Sequence, residues 1–275
     1  MALNATVRKG ELDRVSAPPW RRAAPVMRIV LPAYNEAENL GALLERIDES
    51  MYRSGRAYEV LVVDDGSRDP TAEIAGRYAS LLPLRLLAHE VNQGLGATIR
   101  DGLVEAIAVS ADDDVIIVMD ADNTHTPALI PRMLQAILEG SDVVIASRYR
   151  PGSRVLGVTF LRRCLSFWGS VLFRLMFPTP GVRDYTCGFR AYRAGLLKAC
   201  FRESGSAFVN ERGFQCMVAI LLDLRARGAI FREVPLILRY DHKRGASKMK
   251  VASTILGTLW LMARRRLRGG GELRD

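Results

Sequence analysis

Two acidic clusters, each placed after an apolar run, are the residues in this chain best suited to chemistry. Asp64 and Asp65 follow one run, and Asp120 and Asp122 follow another. An apolar run that ends in carboxylates and turn residues is typical of a buried parallel strand ending at a ligand-binding edge. Two carboxylates one residue apart can hold a hard divalent cation and leave room on it for phosphate oxygens. The pattern therefore favours a metal-assisted site for a nucleoside diphosphate.

The elements that position these clusters follow from the alternation of apolar runs with helical patterns. Strands are predicted at residues 27–31, 58–63, 84–87, 115–119 and 143–146, with helical spacing of apolar residues between them. Five alternations of strand and helix predict a doubly wound, mostly parallel α/β sheet. The later segments predict an amphipathic helix at 155–178, a polar, turn-rich stretch at 184–193, a helix at 213–227 and a last strand at 230–238.

The charge balance points to an anionic partner. The 275 residues include 39 Lys and Arg against 30 Asp and Glu, which gives a net charge of +9. Such a balance suits nucleic acid, a membrane surface or a phosphorylated substrate. Nucleic acid is the least favoured of the three and is not expected as a partner, because the basic residues are scattered and no recognition motif is present.

Cysteine usage and the length of the apolar runs predict the compartment. The four cysteines form no CxxC pair, which is typical of reduced thiols in a cytoplasmic protein. Residues 1–25 are basic and lack the apolar core of a signal peptide, and no run approaches the ~20 apolar residues that span a bilayer. We therefore expect a cytoplasmic protein without a transmembrane segment.

Seven short segments carry a family resemblance. They are residues 31–36, 62–67, 92–96, 120–122, 147–149, 184–189 and 244–248. With these segments in this order, the chain resembles the family-2 inverting glycosyltransferases of GT-A fold, and among them the dolichol-phosphate mannosyltransferase branch. The resemblance implies a Rossmann-like sheet, Mg²⁺ or Mn²⁺ as cofactor, and inverting transfer of a hexose from a nucleotide-diphosphate sugar to a polyprenyl phosphate. The donor is left open between the GDP-mannose and UDP-glucose types.

The resemblance also implies roles for residues at the matching positions. The nucleotide sugar is expected to contact Pro32, Tyr34, Glu36, Val62, Asp64, Asp120, Ala121, Asp122, Arg244 and Lys248. The metal is expected at Asp122 and Asp120, with Thr124 near the position of a further ligand, and Asp120 is left open between the ribose and a metal-bound water. The acceptor phosphate is expected at Arg148, Arg162 and Ser166, and the catalytic residues are expected to be Asp122, Arg148 and Arg162.

Three regions are expected along the chain. Residues 1–25 would form a flexible basic extension, residues 26–248 a GT-A catalytic domain, and residues 249–275 an amphipathic basic helix. The helix at 155–178 is either a core or dimer helix or one that lies in the lipid headgroup layer, because apolar and arginine residues alternate along it. A prenyl acceptor lives in that layer, so we expect peripheral association with the cytoplasmic membrane surface. The oligomeric state is left open, with a second copy of the chain as one partner considered.

Simpler explanations compete with these roles. Asp65 followed by Gly66 is also typical of a tight turn, Glu36 of a helix N-terminus, and most arginines of solvated surface. An enzyme of the same fold that acts on a soluble sugar or metabolite is the main alternative. Its apolar helices would form a dimer interface, and Glu211 would act as a base or merely cap a helix.

Overall fold

The structure is a computed structural model that describes residues 24–158, 160–211, 213–242 and 244, with the backbone alone for residues 160–165. The strands are β1 (Met27–Ala33), β2 (Tyr58–Asp64), β3 (Leu84–Ala88), β4 (Val115–Val118), β5 (Val143–Ser147), β6 (Arg154–Leu156), β7 (Arg190–Arg193), β8 (Phe231–Pro235) and β9 (Ile237–Arg239). The helices are α1 (Ala37–Ser54), α2 (Thr71–Tyr78), α3 (Leu95–Ala108), α4 (Ile130–Leu138), α5 (Phe160–Met176), α6 (Ala194–Ser204) and α7 (Gln215–Ala226). Short 3-10 turns lie at Pro127–Leu129, Gly205–Val209 and Tyr240–His242.

Seven of these strands form one sheet in the order β3-β2-β1-β4-β7-β5-β8, and β6 pairs with β9 in a small parallel sheet. The large sheet is parallel throughout except at β7, which runs antiparallel to β4 and β5. Every residue of β4 and β5 is buried, as expected for inner strands covered on both faces. The predicted mostly parallel α/β fold is confirmed.

The order of the strands creates a crevice beside β1. The chain moves outward from β1 to β2 and β3, and then places β4 on the other side of β1. Ligands of open α/β sheets bind at such switch points, beyond the carboxyl ends of the strands. The register pairs Ala33 with Asp64 and Val30 with Val118, so both acidic clusters leave the sheet at this edge.

Strand β1 runs further than the sequence suggests, because Pro32 does not end it. The Met27 N–H bonds toward β2, so alternate residues turn their backbone groups toward β4, where the Val30 carbonyl accepts the Met119 N–H. The donor that Pro32 lacks would therefore face the point where β4 ends, so the proline does not interrupt the paired part of the two strands. The strand continues to Ala33, so the loop that follows it begins at the crevice.

Two segments in the second half differ from the prediction. The stretch at 184–193 is not all turns, because it ends in the buried strand β7 between β4 and β5. The predicted last strand is divided into β8 and β9. Leu236 bridges the two sheets, since its N–H donates to the Ser147 carbonyl and its carbonyl accepts the Arg154 N–H.

Helix α5 occupies most of the predicted amphipathic segment, whose first residues form β6 instead. Its inner face buries Phe173, which stacks on Tyr185 with ring centroids 5.3 Å apart. No helix in the described part of the chain is both long enough and apolar enough to cross a membrane. The predicted basic extension, up to residue 23, and the predicted C-terminal helix lie outside the described residues.

Candidate functional site

The loops after β1 and β2 are tied together at the crevice. Asn35 adopts a left-handed conformation (φ 53°), its N–H donates to Ser67 Oγ over 2.8 Å, and its side-chain oxygen accepts the Arg68 N–H over 2.7 Å. The Ser67 hydroxyl in turn donates to the buried Asp64 carboxylate. These bonds bring the segment around Tyr34 and Asp64, two predicted nucleotide contacts, to one edge.

A second set of bonds fixes the start of α1. The Glu36 N–H donates to Thr71 Oγ1 over 2.8 Å, and the Ala37 N–H donates to Asp69 Oδ2 over 3.1 Å. Asp69 also accepts the Thr71 hydroxyl over 2.5 Å. The first amides of a helix have no partner inside the helix, so a carboxylate from a neighbouring loop can satisfy them and complement the dipole. Glu36 is buried at this junction.

Asp65 does more than form a turn, because its carboxylate holds a neighbouring loop in place. Its carboxylate accepts the N–H groups of Gln93 and Gly94, each over 2.8 Å, and lies 2.8 Å from His89 Nδ1. The buried carboxylate therefore holds the loop between β3 and α3 against the end of β2. Gly66 (φ 66°) lets the two loops touch, since a Cβ there would lie 2.7 Å from the backbone of that loop.

Asp120 and Asp122 leave β4 half-exposed, unlike the two buried carboxylates at the end of β2. The Thr124 hydroxyl donates to Asp122 Oδ1 over 2.7 Å, and the Thr124 N–H reaches the same oxygen over 3.1 Å. The Asp120 N–H donates to His125 Nδ1 over 3.2 Å, and a Cβ at Gly188 would lie 3.0 Å from Asp120 Oδ1. Thr124 thus holds the Asp122 carboxyl group at the crevice, and the absence of a side chain at Gly188 leaves room for the carboxyl group of Asp120.

This pair of carboxylates fits a divalent cation whose other ligands are supplied by water and by the substrate. Mg²⁺ is commonly held by one or two carboxylates plus substrate phosphates, not by a closed protein cage. Among the described residues, no group of three or more His, Cys, Asp or Glu side chains could hold a metal. The hydroxyl of Thr124, the predicted further ligand, is engaged with Asp122. Coordination by these residues remains a prediction.

Arg148 and Asp184 form an ion pair at the site, joined by two side-chain hydrogen bonds. Arg148 Nε and Nη2 donate to the two carboxylate oxygens over 2.8 and 2.7 Å, and the Arg148 N–H adds a bond of 3.0 Å. Asp184 is fully buried, whereas the Arg148 side chain is 21% exposed. Burial, the largest single effect, would raise the pKa of Asp184, but the Arg148 charge and the hydrogen bonds from Arg148 together outweigh burial, so the pKa is lowered. In the same way, burial would lower the pKa of Arg148, but the charge of Asp184 and its hydrogen bond to Arg148 together raise that pKa.

A buried arginine that the sequence analysis missed supports this pair. Arg190, on β7, is fully buried and donates to the carbonyls of Cys187, Met217 and Tyr185 over 2.9, 2.6 and 2.7 Å. Among the described residues these carbonyls, and not a carboxylate, accept the bonds of the guanidinium, and the bonds fix the loop that follows Asp184. No local pattern separates such an arginine from a surface one.

Tyr149 joins the ion pair to α5. Its hydroxyl lies 2.9 Å from Ser166 Oγ, and the Arg148 guanidinium carbon lies 5.5 Å from its ring centroid. Burial raises the pKa of Tyr149. Next to Ser166, the outer face of α5 exposes large apolar side chains: Phe167, Trp168 (66%), Leu172 and Leu175 (75%). A polar group suited to an anion therefore borders an apolar surface.

The remaining predicted site residues have different outcomes. Pro32 lies buried near the end of β1, Ala121 lies buried in the turn after β4, and Val62 lies two residues before the end of β2. Arg244 is held near the start of α1, where its N–H donates to Asn39 Oδ1 over 2.8 Å. The Arg162 side chain and the whole of Lys248 lie outside the described residues.

The fold and this edge define a class of protein, the GT-A glycosyltransferases. In solved structures, the chain is similar to Mycobacterium tuberculosis glucosyl-3-phosphoglycerate synthase in complex with Mn²⁺, UDP and glucosyl-3-phosphoglycerate. The TM-score is 0.62 at 21% identity, over 94% of this chain and 87% of that one. The same protein with Mg²⁺ and UDP gives a TM-score of 0.60 at 20% identity, over 86% and 79% of the two chains. This likeness shows the fold alone.

Residues 28–201 match glycosyl transferase family 2, and the chain belongs to that family. It is 34% identical to the dolichol-phosphate mannosyltransferase of Pyrococcus furiosus over 81% of this chain and 58% of that protein. It is 32% identical to the undecaprenyl-phosphate mannosyltransferase of Micrococcus luteus over 80% and 86%. It is 30% identical to the polyprenol monophosphomannose synthase of Mycolicibacterium smegmatis over 88% and 87%. The predicted family and branch are confirmed, and the protein is a glycosyltransferase.

Proposed function

We propose that this glycosyltransferase moves a hexose from a nucleotide-diphosphate sugar to a polyprenyl phosphate, with inversion, at the cytoplasmic surface of a membrane. One observation carries the acceptor assignment. The polar cluster of Arg148, Tyr149 and Ser166 borders the exposed apolar face of α5. A phosphate on a prenyl chain needs a polar site next to an apolar one, whereas a soluble phosphate needs only the first. The names of the three relatives support the same class of acceptor.

The donor would bind in the crevice beside β1. Tyr34, Glu36 and Asp64 would contact the nucleoside, and Arg244 with Lys248 would contact the diphosphate. Asp122, with Asp120 beside it, would hold Mg²⁺ or Mn²⁺. A bound divalent ion there would neutralise the diphosphate and stabilise the charge that develops on the leaving nucleotide. All three relatives carry mannose in their names, which favours the GDP-mannose type over the UDP-glucose type.

The guanidinium groups of arginine residues would position the acceptor, and no strong general base would be needed to activate it. Its phosphate is already an anion at neutral pH, so the residues near it need to hold it rather than remove a proton. Arg148, Arg162 and Ser166 would hold that phosphate. Its oxygen would then attack the anomeric carbon from the face opposite the nucleotide, which inverts the configuration. In this scheme the Asp184 carboxylate orients Arg148.

The test is a transfer assay with purified protein, Mn²⁺ or Mg²⁺, short polyprenyl phosphate and labelled GDP-mannose or UDP-glucose. We expect label in the organic phase with one donor, and loss of that product in Asp122→Asn with the fold intact by circular dichroism. Normal turnover by Asp122→Asn would overturn the metal assignment. We expect Arg162→Ala to raise the acceptor KM well above any change in donor KM.

The membrane part of the proposal has its own control. Trp168 and Leu175 are exposed on α5, so replacing both with Ser should weaken binding to liposomes without changing turnover of a short, detergent-dispersed acceptor. Leu81 and Val91 are similarly exposed away from α5, and replacing both with Ser provides the matched control. Equal liposome binding by the two double variants would contradict the role of the α5 surface.

A further inference from the structure

Asn39 contacts both backbone groups of Arg244, although the two residues are 205 positions apart. Its Oδ1 accepts the Arg244 N–H over 2.8 Å, and its Nδ2 donates to the Arg244 carbonyl over 3.1 Å. Nδ2 also donates to Glu36 Oε2 over 2.8 Å. Because the amide end faces a carboxylate and a carbonyl, the orientation of the carboxamide is fixed. Asn39 thus pairs with Arg244 much as one strand residue pairs with another.

The Asn39 contact is the last of several that fasten one segment of chain to the rim of the crevice. We call residues 237–244 the strap, of which 237–242 and 244 are described. The strap begins where the Ile237 carbonyl accepts the Thr126 hydroxyl over 3.0 Å and the Arg239 N–H donates to the Thr124 carbonyl over 2.8 Å. It ends at Asn39. Its attachments therefore extend from the loop of Asp122 to the start of α1.

A third attachment lies between these two ends. Arg46, on α1, places Nη1 2.5 Å from Asn123 Oδ1 and 3.4 Å from His242 Nδ1. Asn123 belongs to the loop after β4, so the same arginine contacts that loop and the strap. Of the attachments described, the Asn39 contact alone involves the backbone of Arg244 directly, because the others lie two or more residues earlier.

From this geometry we infer that Asn39 is a positioning residue for the donor site, which acts by fixing the backbone of Arg244 so that its guanidinium is presented to the diphosphate. The inference rests on the proposed function insofar as Arg244 contacts the donor. Asn39 is itself 3% exposed, and its carboxamide is committed to Glu36 and the strap. It acts on the nucleotide through Arg244 and not by touching it.

A purely structural role for Asn39 would give different results. A buried asparagine that only stabilises the start of α1 would lower the melting temperature of the protein and affect both substrates equally. Loss of a positioning residue changes only the nucleotide affinity and the donor KM. That effect vanishes once the side chain that it positions has also been removed. The loss of two hydrogen bonds predicts about a tenfold weaker nucleotide affinity.

The experiment is a double-mutant cycle on nucleotide affinity with Asn39→Ala, Arg244→Ala and the double variant. Dissociation constants for GDP and UDP with Mn²⁺ are measured by calorimetry without acceptor, and donor and acceptor KM values are measured in parallel. We expect each single variant to weaken the preferred nucleotide about tenfold and the double variant to be no weaker than Arg244→Ala. The acceptor KM should not change.

Two further variants keep the test decisive. Asn39→Leu keeps the volume of the side chain and removes both contacts to Arg244. It should raise the donor KM in the same way and replaces Asn39→Ala where that variant does not fold. Ser54→Ala removes a hydroxyl bond of 2.8 Å at the far end of α1 and is the control for helix stability. We expect it to leave nucleotide affinity unchanged.

The outcomes separate the two proposals. Fully additive effects of Asn39→Ala and Arg244→Ala, or unchanged nucleotide affinity in Asn39→Ala, would overturn the positioning role while leaving lipid transfer intact. If the sugar is transferred to a soluble acceptor but the effects of Asn39→Ala and Arg244→Ala are non-additive, the assignment of a lipid acceptor is overturned. The positioning role of Asn39 then stands. Failure of the wild type to bind either nucleotide would overturn both.

Discussion

Asp184→Asn tests the ion pair on which the proposed acceptor site depends. In the wild type, Oδ2 accepts two bonds from Arg148, and Oδ1 accepts a third from Arg148 with the N–H groups of Thr186 and Cys187 nearby. Asparagine has one acceptor oxygen, so either orientation of its amide turns a donor toward at least two other donors. It also leaves Arg148 without its counter-charge.

The expected cost follows from these contacts. Two lost hydrogen bonds to a charged group cost about 1.5 kcal/mol or more each, and breaking a buried ion pair costs about 3–5 kcal/mol. Since Arg148 is 21% exposed, water partly screens its charge and the lower end applies, about 3 kcal/mol. For a domain of this size that corresponds to a fall in melting temperature of about 6–12 °C.

The assay is thermal and urea unfolding of the wild type and Asp184→Asn, with Glu49→Gln as the control. Glu49 pairs with Arg53 on the surface, where the side chains are 60% and 76% exposed, so its loss should cost about 0.5 kcal/mol or less. The pKa of Asp184 is lowered in the folded protein, so the wild-type advantage should be complete above about pH 4 and disappear as the pH falls further. A cost in Asp184→Asn no larger than that in Glu49→Gln would refute the reasoning.

Three other perturbations have definite expected outcomes. Gly66→Ala should lower the free energy of unfolding by about 2 kcal/mol or more, because φ is 66° and the new Cβ would lie 2.7 Å from backbone, and an unchanged melting temperature would contradict this. Thr124→Val removes the hydroxyl that donates to Asp122 and should weaken Mn²⁺ binding about tenfold by calorimetry, whereas unchanged affinity would show that this bond does not orient the carboxylate. Burial raises the pKa of Cys187 and of Cys216 to about 12, so iodoacetamide at pH 8 should label both only after denaturation, and rapid labelling of the native protein, read by mass spectrometry, would count against the buried environment.

The sequence predicts the first half of the fold and the acidic edge because both depend on local patterns. A buried parallel strand needs an apolar run, and the residues after it must face the crevice, so the positions of Asp64 and Asp120 follow from β2 and β4 alone. The antiparallel strand β7 was not predicted, because its two arginines suggest a surface segment. In the structure Arg190 is buried, since three backbone carbonyls satisfy its guanidinium.

Contacts between distant segments were beyond prediction from this one sequence. Asp65 reads as a turn residue, and only the approach of the β3–α3 loop makes it a clamp. Arg148 resembles a phosphate-binding arginine, and its partner Asp184 lies 36 residues away. The pairing of Asn39 with Arg244 spans 205 residues, and no periodicity relates the two positions. In each case the tertiary fold supplies the partner that gives the side chain its task.

The most direct test of the central claim is the ratio of kcat/KM for two phosphate acceptors, polyprenyl phosphate and 3-phosphoglycerate, with the same labelled donor and metal. The exposed apolar face of α5 beside Tyr149 and Ser166 predicts a ratio above about one hundred in favour of the lipid. Comparable values for the two acceptors, or a preference for phosphoglycerate, would contradict the assignment of a polyprenyl phosphate acceptor.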